Sequence, residues 1–185
     1  MSESLDALFT SAGVANCENL VSIYTPKFES NPSDLEQARS IYNQLAALRC
    51  NDSELYLKVA LAIFNAEPTP SLGLEIARIY MAQRKNADAD DIFKKAIAAE
   101  SDGVKRSSML VEQASFVGNV LGDMVRARAL ANEALALNAQ QGYAYFVIGQ
   151  LYASTKNCGS NKIDNASVFW AAVDKFHQAK SIDPA

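Results

Sequence analysis

The chain has 185 residues, of which 49% are hydrophobic and 21% charged, a balance typical of a folded globular protein and contrary to intrinsic disorder. This length suffices for one ordinary domain or one short repeat array. The net charge is −4 and basic residues are interspersed with acidic ones, so the sequence does not indicate the positive surface that binds nucleic acid.

No apolar run approaches the roughly 18 residues that a transmembrane helix needs, so direct membrane insertion is not expected. The N-terminal stretch MSESLDALFTSAG lacks the basic and apolar regions of a signal peptide. The compartment stays open on this reasoning. It is cytoplasmic if Met1 is the natural start, and exported or periplasmic if the sequence is an excised segment of a longer chain.

Apolar residues at offsets 0, 4 and 7 recur along the chain and predict a series of α-helices, because this spacing puts three side chains on one helix face. Small residues at two of the three positions would let a neighbouring helix approach closely. In chain order the pattern occurs at Leu20-Tyr24, Leu55-Val59-Ala62, Ala89-Phe93-Ala96, Ala127-Ala131-Ala134 and Ala172-Phe176-Ala179. The first members of successive copies are 35, 34, 38 and 45 residues apart.

A second pattern, large then small then aromatic, precedes several of these copies by about nine residues. It is clearest at Ile76-Ala77-Tyr80 and Ile148-Gly149-Tyr152. Turn-forming residues lie between the paired patterns, at Asn51-Asp52, Lys85-Asn86 and Gly122-Asp123. Each unit is therefore predicted to be a helix, a tight turn and a second helix.

Paired helices with this period and these two patterns resemble the tetratricopeptide repeat (TPR) family, whose repeat is about 34 residues long. The resemblance covers essentially the whole chain and implies an all-α fold, a right-handed α-α superhelix (solenoid) of about five helical hairpins in a single domain, 1–185. The five units fall at about 2–33, 34–69, 70–103, 104–141 and 142–185. Segments such as NCENLVSIYTPKFESNP and VFWAAVDKF also resemble a group of Bacteroidetes TPR proteins, bacterial chains that are longer, exported and of unassigned function.

Two departures from the repeat are expected to change its helices. Pro26 lies within the second helix of the first unit, where it removes a backbone donor and should kink or shorten that helix. In the fifth unit Tyr152 precedes Ala172 by 20 positions rather than 9, which predicts an insertion at about 154–168.

The three cysteines, Cys17, Cys50 and Cys158, match neither a disulfide framework nor a zinc site by their spacing. One interpretation is three free thiols. The alternative pairs Cys17 with Cys50, because both fall near the turns of adjacent repeat units and so on the same edge of the array. Helix layers lie about 8–10 Å apart whereas a disulfide needs Cα atoms within about 7 Å, so irregular turns and an oxidising compartment would be required.

No group of residues predicts an active site, so the chain is not expected to be an enzyme, and no cofactor or metal is expected. His177, the one histidine, has no Ser, Cys or carboxylate placed to act with it and is interpreted as a surface residue. Cys158 has no cation closer than Lys156 and Lys162 to activate it as a nucleophile. Trp170 is expected to dock the insertion onto the last helix pair as a core side chain, or otherwise to contact a partner.

The TPR resemblance implies protein–protein interaction through a concave face, to which the first helix of each unit contributes. By the same resemblance, the candidate partner-binding residues are Glu75, Arg78, Met81, Glu112, Phe116, Asn119, Tyr143, Phe146 and Gln150. Only Arg78 among them has the charge with which some TPR domains hold a terminal carboxylate. Apolar anchors for an extended or helical peptide are therefore expected instead.

Two alternatives stay open beside this interpretation. In the first, Phe116 and Phe146 are partly buried between repeat units. In the second, the array is a structural spacer or assembly segment of a larger cell-envelope protein with no peptide groove of its own. The sequence predicts a protein or peptide partner without fixing the oligomeric state.

Overall fold

The computed structural model describes residues 16–155 and 161–184. Within these two ranges the chain forms α-helices and no β-strand. The helices are α1 (Cys17–Ser30), α2 (Leu35–Ala47), α3 (Glu54–Ala66), α4 (Pro70–Ala82), α5 (Asn86–Ala99), α6 (Gly103–Asn119), α7 (Met124–Leu137), α8 (Gly142–Ser154) and α9 (Lys162–Ile182).

Short polar side chains fix where most of these helices begin. Each accepts a hydrogen bond from a backbone N–H of the first turn, which would otherwise lack a partner. The capping residues are Asn16, Asp34, Ser53, Asp102, Asp123 and Asn161. Helix α4 instead starts with Pro70, whose fixed φ suits the first helical position.

The turns inside the predicted hairpins repeat a backbone feature. Arg49, Arg84 and Gly122 have positive φ values of 56°, 58° and 73°, and each follows the first helix of its hairpin. They are 35 and 38 residues apart, close to the spacing of the repeats predicted from sequence. The helix–turn–helix unit therefore recurs in the backbone as well as in the side-chain pattern.

The chain divides into two compact units, 1–83 and 84–185. The division falls in the turn between α4 and α5, inside the third predicted repeat at 70–103. The single repeat domain expected over 1–185 therefore stays a prediction, and the two units are described in turn.

In the first unit, helix α3 lies at the centre and contacts α1, α2 and α4. Its side chains are buried on several sides at once, as a central helix requires. Those that are at most 2% exposed are Leu55, Tyr56, Val59, Ala60 and Phe64. Helices α2 and α3 form the hairpin of this unit, and α4 covers its other side.

Helix α1 continues past Pro26 to Ser30. It buries Leu20 before the proline and Phe28 after it, so both ends of the helix pack against the unit. Pro26 therefore does not shorten the helix, and the alternative expectation, a kink, stays a prediction. Packing of Phe28 offsets the lost backbone donor.

The second unit contains the α6–α7 and α8–α9 hairpins, with α5 packed on α6 and α8 packed on both α6 and α7. The small residues of the repeat lie at the closest approaches between these helices. A Cβ added at Gly149 would lie 2.7 Å from the Phe176 ring, and one at Gly118 would lie 2.8 Å from Leu151. Small side chains thus set the helix spacing in this unit, as the sequence pattern predicts.

The extra residues of the last hairpin lengthen a helix. Ala127 is the fourth residue of α7, whereas Ala172 is the eleventh residue of α9. Residues 162–168 of the predicted insertion therefore extend α9 at its N-terminus. Residues 156–160 of it lie outside the described residues, and so does Cys158.

Candidate interaction surfaces

The structure joins Cys17 and Cys50 by a disulfide bond, with their Cα atoms 5.4 Å apart. Cys17 is the first residue of α1, and Cys50 lies in the turn between α2 and α3. The Cα atoms are closer than the usual distance between helix layers because both residues stand at helix ends, where the chain is not confined to a layer. The bond ties α1 to the α2–α3 hairpin.

Three residues of the first unit form a partly buried polar cluster, with one member on each of α2, α3 and α4. Tyr42 donates to Glu75 at 2.7 Å, and Tyr56 donates to the other oxygen of the same carboxylate. The two tyrosine rings stack with centroids 5.0 Å apart. Burial and the hydrogen bonds to Glu75 raise the pKa of both tyrosines above the usual value, so their hydroxyls stay protonated and can donate.

Glu75 is a predicted partner-binding residue that the structure places in this internal cluster. Both of its carboxylate oxygens accept hydrogen bonds from the chain's own tyrosines, and its side chain is half-buried. Arg78 is exposed one helical turn later, and Met81 is half-buried. A pocket of about 460 Å³ borders Glu75 and Arg78 beside the α2–α3 turn, with Ile79 and Ala82 also in its lining, so this face of α4 offers both charged and apolar groups.

Phe116 does not lie on an accessible surface, which corrects its prediction as a partner-binding residue. It is 2% exposed, and its ring centroid lies 5.9 Å from that of Phe93 on α5. The physical reason is that α5 packs on the face of α6 that carries Phe116. Two other predicted residues of α6 are more accessible, because Glu112 is half-buried and Asn119 is exposed.

Helix α8 presents the most accessible aromatic side chains among the predicted residues. Tyr143 is 49% exposed and Phe146 is 39% exposed, and their rings stack with centroids 5.8 Å apart. Phe146 also contacts Phe176 of α9, at 5.5 Å between centroids. Phe146 is therefore partly buried, as the competing interpretation expected, but by a ring of its own hairpin. Gln150, one turn further along α8, is half-buried.

A groove of about 480 Å³ opens between α8 and α9. Its apolar surface comes from Tyr143, Phe146 and Phe176, with Ala179 beside them, and the charged residues Lys180 and Asp183 lie at its edge. The groove therefore combines aromatic anchors with a rim of both charges, as partner-binding surfaces commonly do.

Asp90 on α5 is a buried acidic residue that was not among the residues predicted from sequence. Its side chain is only 9% exposed and accepts hydrogen bonds from Gln113 of α6 at 2.9 Å and from Arg126 of α7, while Lys94 lies 2.9 Å away. Burial by itself would raise the pKa of Asp90, but these hydrogen bonds and the charge of Arg126 outweigh it and lower the pKa below its usual value. The cluster links three helices of the second unit and is structural in character.

Trp170 is 72% exposed, so its expected role as a core side chain is wrong. It lies two positions before Ala172, which is buried against α8, and residues two apart on a helix point to nearly opposite sides. Ile163 and Val173 are exposed on the same side of α9, at 80% and 43%. His177 is exposed as predicted.

The described residues were also compared with what metal binding and membrane crossing require. No group of His, Cys, Asp or Glu among them is arranged to hold a metal ion. None of the helices described is both long and apolar enough to cross a bilayer.

No protein-family model matches the chain, and no curated protein is detectably similar in sequence. Solved structures are similar in fold. A crystal structure of MamA superposes with a TM-score of 0.64 at 12% identity, covering 97% of this chain and 94% of the other. A second MamA crystal structure gives 0.62 at 12% identity, over 98% and 89%. This likeness confirms the predicted fold class, an all-α TPR-like helical solenoid.

Proposed function

We propose that this chain is a protein-interaction scaffold that binds a peptide or partner protein through the first helices of its hairpins. The observation that carries the proposal is the Tyr143–Phe146 pair on α8. Two large aromatic side chains are stacked, partly exposed and placed beside a groove. Burying them against a partner would remove apolar surface from water at little cost in side-chain entropy, since both rings are already held by neighbours.

The fold supports the general part of this proposal, that the chain binds other proteins. Helical repeat arrays of this class present extended surfaces suited to protein partners. Within the second unit the exposed Asn119 and the half-buried Gln150 add amide groups that can hydrogen-bond to a partner backbone. The proposed role is binding rather than catalysis.

A peptide-display selection against the immobilised chain tests the proposal. Peptides that bind the wild-type protein should lose about tenfold or more in affinity for Tyr143→Ala and Phe146→Ala, because each change removes an aromatic anchor. Val125→Ala is a matched control, since Val125 is an apolar residue of the same unit that is 80% exposed and lies outside the groove. Selected peptides that bind all four proteins equally would eliminate α8 as the binding surface.

A second candidate function, a structural or assembly segment of a larger cell-envelope protein, is favoured by the exposed side of α9. Ile163, Trp170 and Val173 form an apolar strip there, and exposed apolar strips mark contact surfaces. Sedimentation of the wild type and of Trp170→Glu separates the two candidates. An assembly role predicts self-association that Trp170→Glu abolishes, whereas a peptide-binding scaffold predicts the same monomeric mass for both.

A further inference from the structure

We infer that the groove between α8 and α9 receives an α-helix of a partner protein rather than an extended peptide. The inference rests on the proposed function and deepens it by naming the kind of partner. It rests on a comparison between the two hairpins of the second unit. In the α6–α7 hairpin the surface equivalent to the groove is covered by α8, whereas in the α8–α9 hairpin it is open.

The α6–α7 and α8–α9 hairpins can be aligned on their small residues. Ala114 corresponds to Gly149 in the first helices, 35 residues apart. In the second helices Ala134 corresponds to Ala179, 45 residues apart. On this alignment Tyr143 corresponds to Ser108, and Phe146 corresponds to Val111.

In the earlier copy, helix α8 lies over the first helix of the hairpin. Gln141, the residue before α8, donates to Ser108 at 2.9 Å. The Tyr143 hydroxyl lies 3.4 Å from that of Ser115, and Leu151 reaches the Gly118 backbone. The residue that leads into the next helix of this chain therefore contacts Ser108, the counterpart of Tyr143.

Equivalent positions differ sharply in exposure between the two copies. Val111 is 1% exposed whereas its counterpart Phe146 is 39% exposed, and Ala134 is 0% exposed whereas Ala179 is only half-buried. The α8–α9 groove thus continues the stacking interface by which α8 itself packs on α6 and α7. A surface of this shape fits a helix that takes the place α8 takes in the preceding copy.

The chemistry of the groove also favours a helix over an extended strand. Its surface is built from the side chains of Tyr143, Phe146, Phe176 and Ala179, which offer few groups to satisfy a peptide backbone. An extended peptide would bring unpaired N–H and C=O groups against this apolar surface, whereas a helix satisfies its own backbone. Lys180 and Asp183 at the rim fit an amphipathic helix that carries charges of both signs beside its apolar stripe.

Selection from two display libraries tests the inference. One library varies apolar and small residues at positions i, i+3, i+4 and i+7 of a stabilised single helix, and the other presents peptides held extended by proline at every third position. We expect binders from the helical library, with about 30-fold weaker binding to Phe146→Glu and unchanged binding to Val125→Glu, the exposed control on α7. Phe146→Leu, which keeps an apolar side chain, should weaken binding less than Phe146→Glu does, and a urea unfolding midpoint of Phe146→Glu equal to that of the wild type excludes a folding defect.

Each of the remaining outcomes would contradict a specific part of the two proposals. Binders from the extended library alone would overturn the helical occupant and leave the proposed function standing. Helical binders that survive Phe146→Glu would place the site elsewhere. Self-association of the wild type that Phe146→Glu abolishes would make a second copy of this chain the occupant, and no binder from either library would overturn both proposals.

Discussion

Each unit of the molecule contains a polar cluster around a buried residue at the same position of the repeat, Tyr56 in the first unit and Asp90 in the second, with donor and acceptor exchanged. Tyr56 follows Leu55, the first member of the 0, 4, 7 pattern on α3, and Asp90 follows Ala89, the first member on α5, 34 residues later. Tyr56 donates to Glu75 on the next helix, α4. Asp90 instead accepts from Gln113 on the next helix, α6.

The hydrogen bonds between neighbouring helices at this repeat position therefore use different chemical groups in the two units. The carboxylate of Glu75 faces two hydroxyl donors, Tyr42 and Tyr56. The carboxylate of Asp90 faces Arg126 and Lys94 in addition to Gln113. Hydroxyl groups can both donate and accept, whereas cationic groups only donate. The two clusters should for this reason respond differently to amide substitution and to pH.

The largest expected effect concerns a covalent tie, the Cys17–Cys50 bond of the first unit. Cys50→Ser should lower the free energy of unfolding by about 3–4 kcal/mol, because a bond that closes a 33-residue separation restricts the unfolded chain. Urea unfolding of the wild type in the presence of reductant should give the same free energy of unfolding as Cys50→Ser gives without reductant. Cys158→Ser is the control, and a Cys50→Ser protein as stable as the non-reduced wild type would contradict the bond.

Asp90→Asn is expected to cost about 2–3 kcal/mol, since the amide cannot accept from Gln113, Arg126 and Lys94 together as the carboxylate does, and the half-buried Arg126, 33% exposed, loses its charged acceptor. The matched control is Asp91→Asn. Asp91 is 72% exposed and also lies near Lys94, at 3.3 Å, so its substitution should change stability by less than about 0.5 kcal/mol. Equal unfolding midpoints for the two variants would show that burial of Asp90 contributes nothing.

The two clusters should also fail at opposite ends of the pH range. The pKa of Asp90 is lowered on folding, so its contribution is present above the unfolded pKa of about 3.9 and is lost as pH falls through the folded pKa. The pKa of Tyr56 is raised, so its contribution is present below about pH 10 and is lost as pH rises through the folded pKa.

Urea unfolding across pH measures both windows. The stability difference between wild type and Asp90→Asn should shrink as pH falls below about 4, where the Asp90 carboxylate takes up a proton. The difference between wild type and Tyr56→Phe should persist in neutral solution and shrink only in strong alkali. A difference for Asp90→Asn that is the same at pH 3 and pH 7 would disprove the assigned pKa shift.

The repeat itself was predictable because its signal is local. Ala89, Ala131 and Gly149 were identified from their spacing alone, and all three are buried where helices approach closely. In a helical chain, small residues at a fixed period mark the places where one helix packs tightly on the next. The positions of the turns followed from the same period.

Accessibility was not predictable to the same degree. Phe116 and Phe146 were assigned to one face, yet the first is 2% exposed and the second 39%. Helical periodicity gives the direction of a side chain but does not tell whether a neighbouring helix covers it. The prediction for Trp170 was wrong for a related reason, because residues 162–168 are helical and the indole lies on the exposed side of the same helix.

The burial of Asp90 was not predicted because the residue lies in the acidic run DADD, which is typical of a helix N-terminus. Its partner Arg126 is 36 residues away, a separation that the sequence alone does not connect. One signal was available. Asp90 occupies the repeat position of Tyr56, which is flanked by buried residues, and a charge at such a position requires a partner.

The smallest expected effect gives the sharpest comparison between the clusters. Glu75→Gln should cost less than about 1 kcal/mol, because the Gln oxygen can accept from one tyrosine while its NH₂ group donates to the other hydroxyl. Glu75→Ala should cost about 1–3 kcal/mol, since it leaves two tyrosine hydroxyls without an acceptor. Urea unfolding of both variants and of Asp90→Asn then compares the change from carboxylate to amide in the first cluster with the same change in the second. If Glu75→Gln were as damaging as Asp90→Asn, the first cluster would depend on negative charge rather than on hydrogen-bond count, and the distinction between the two units would fail.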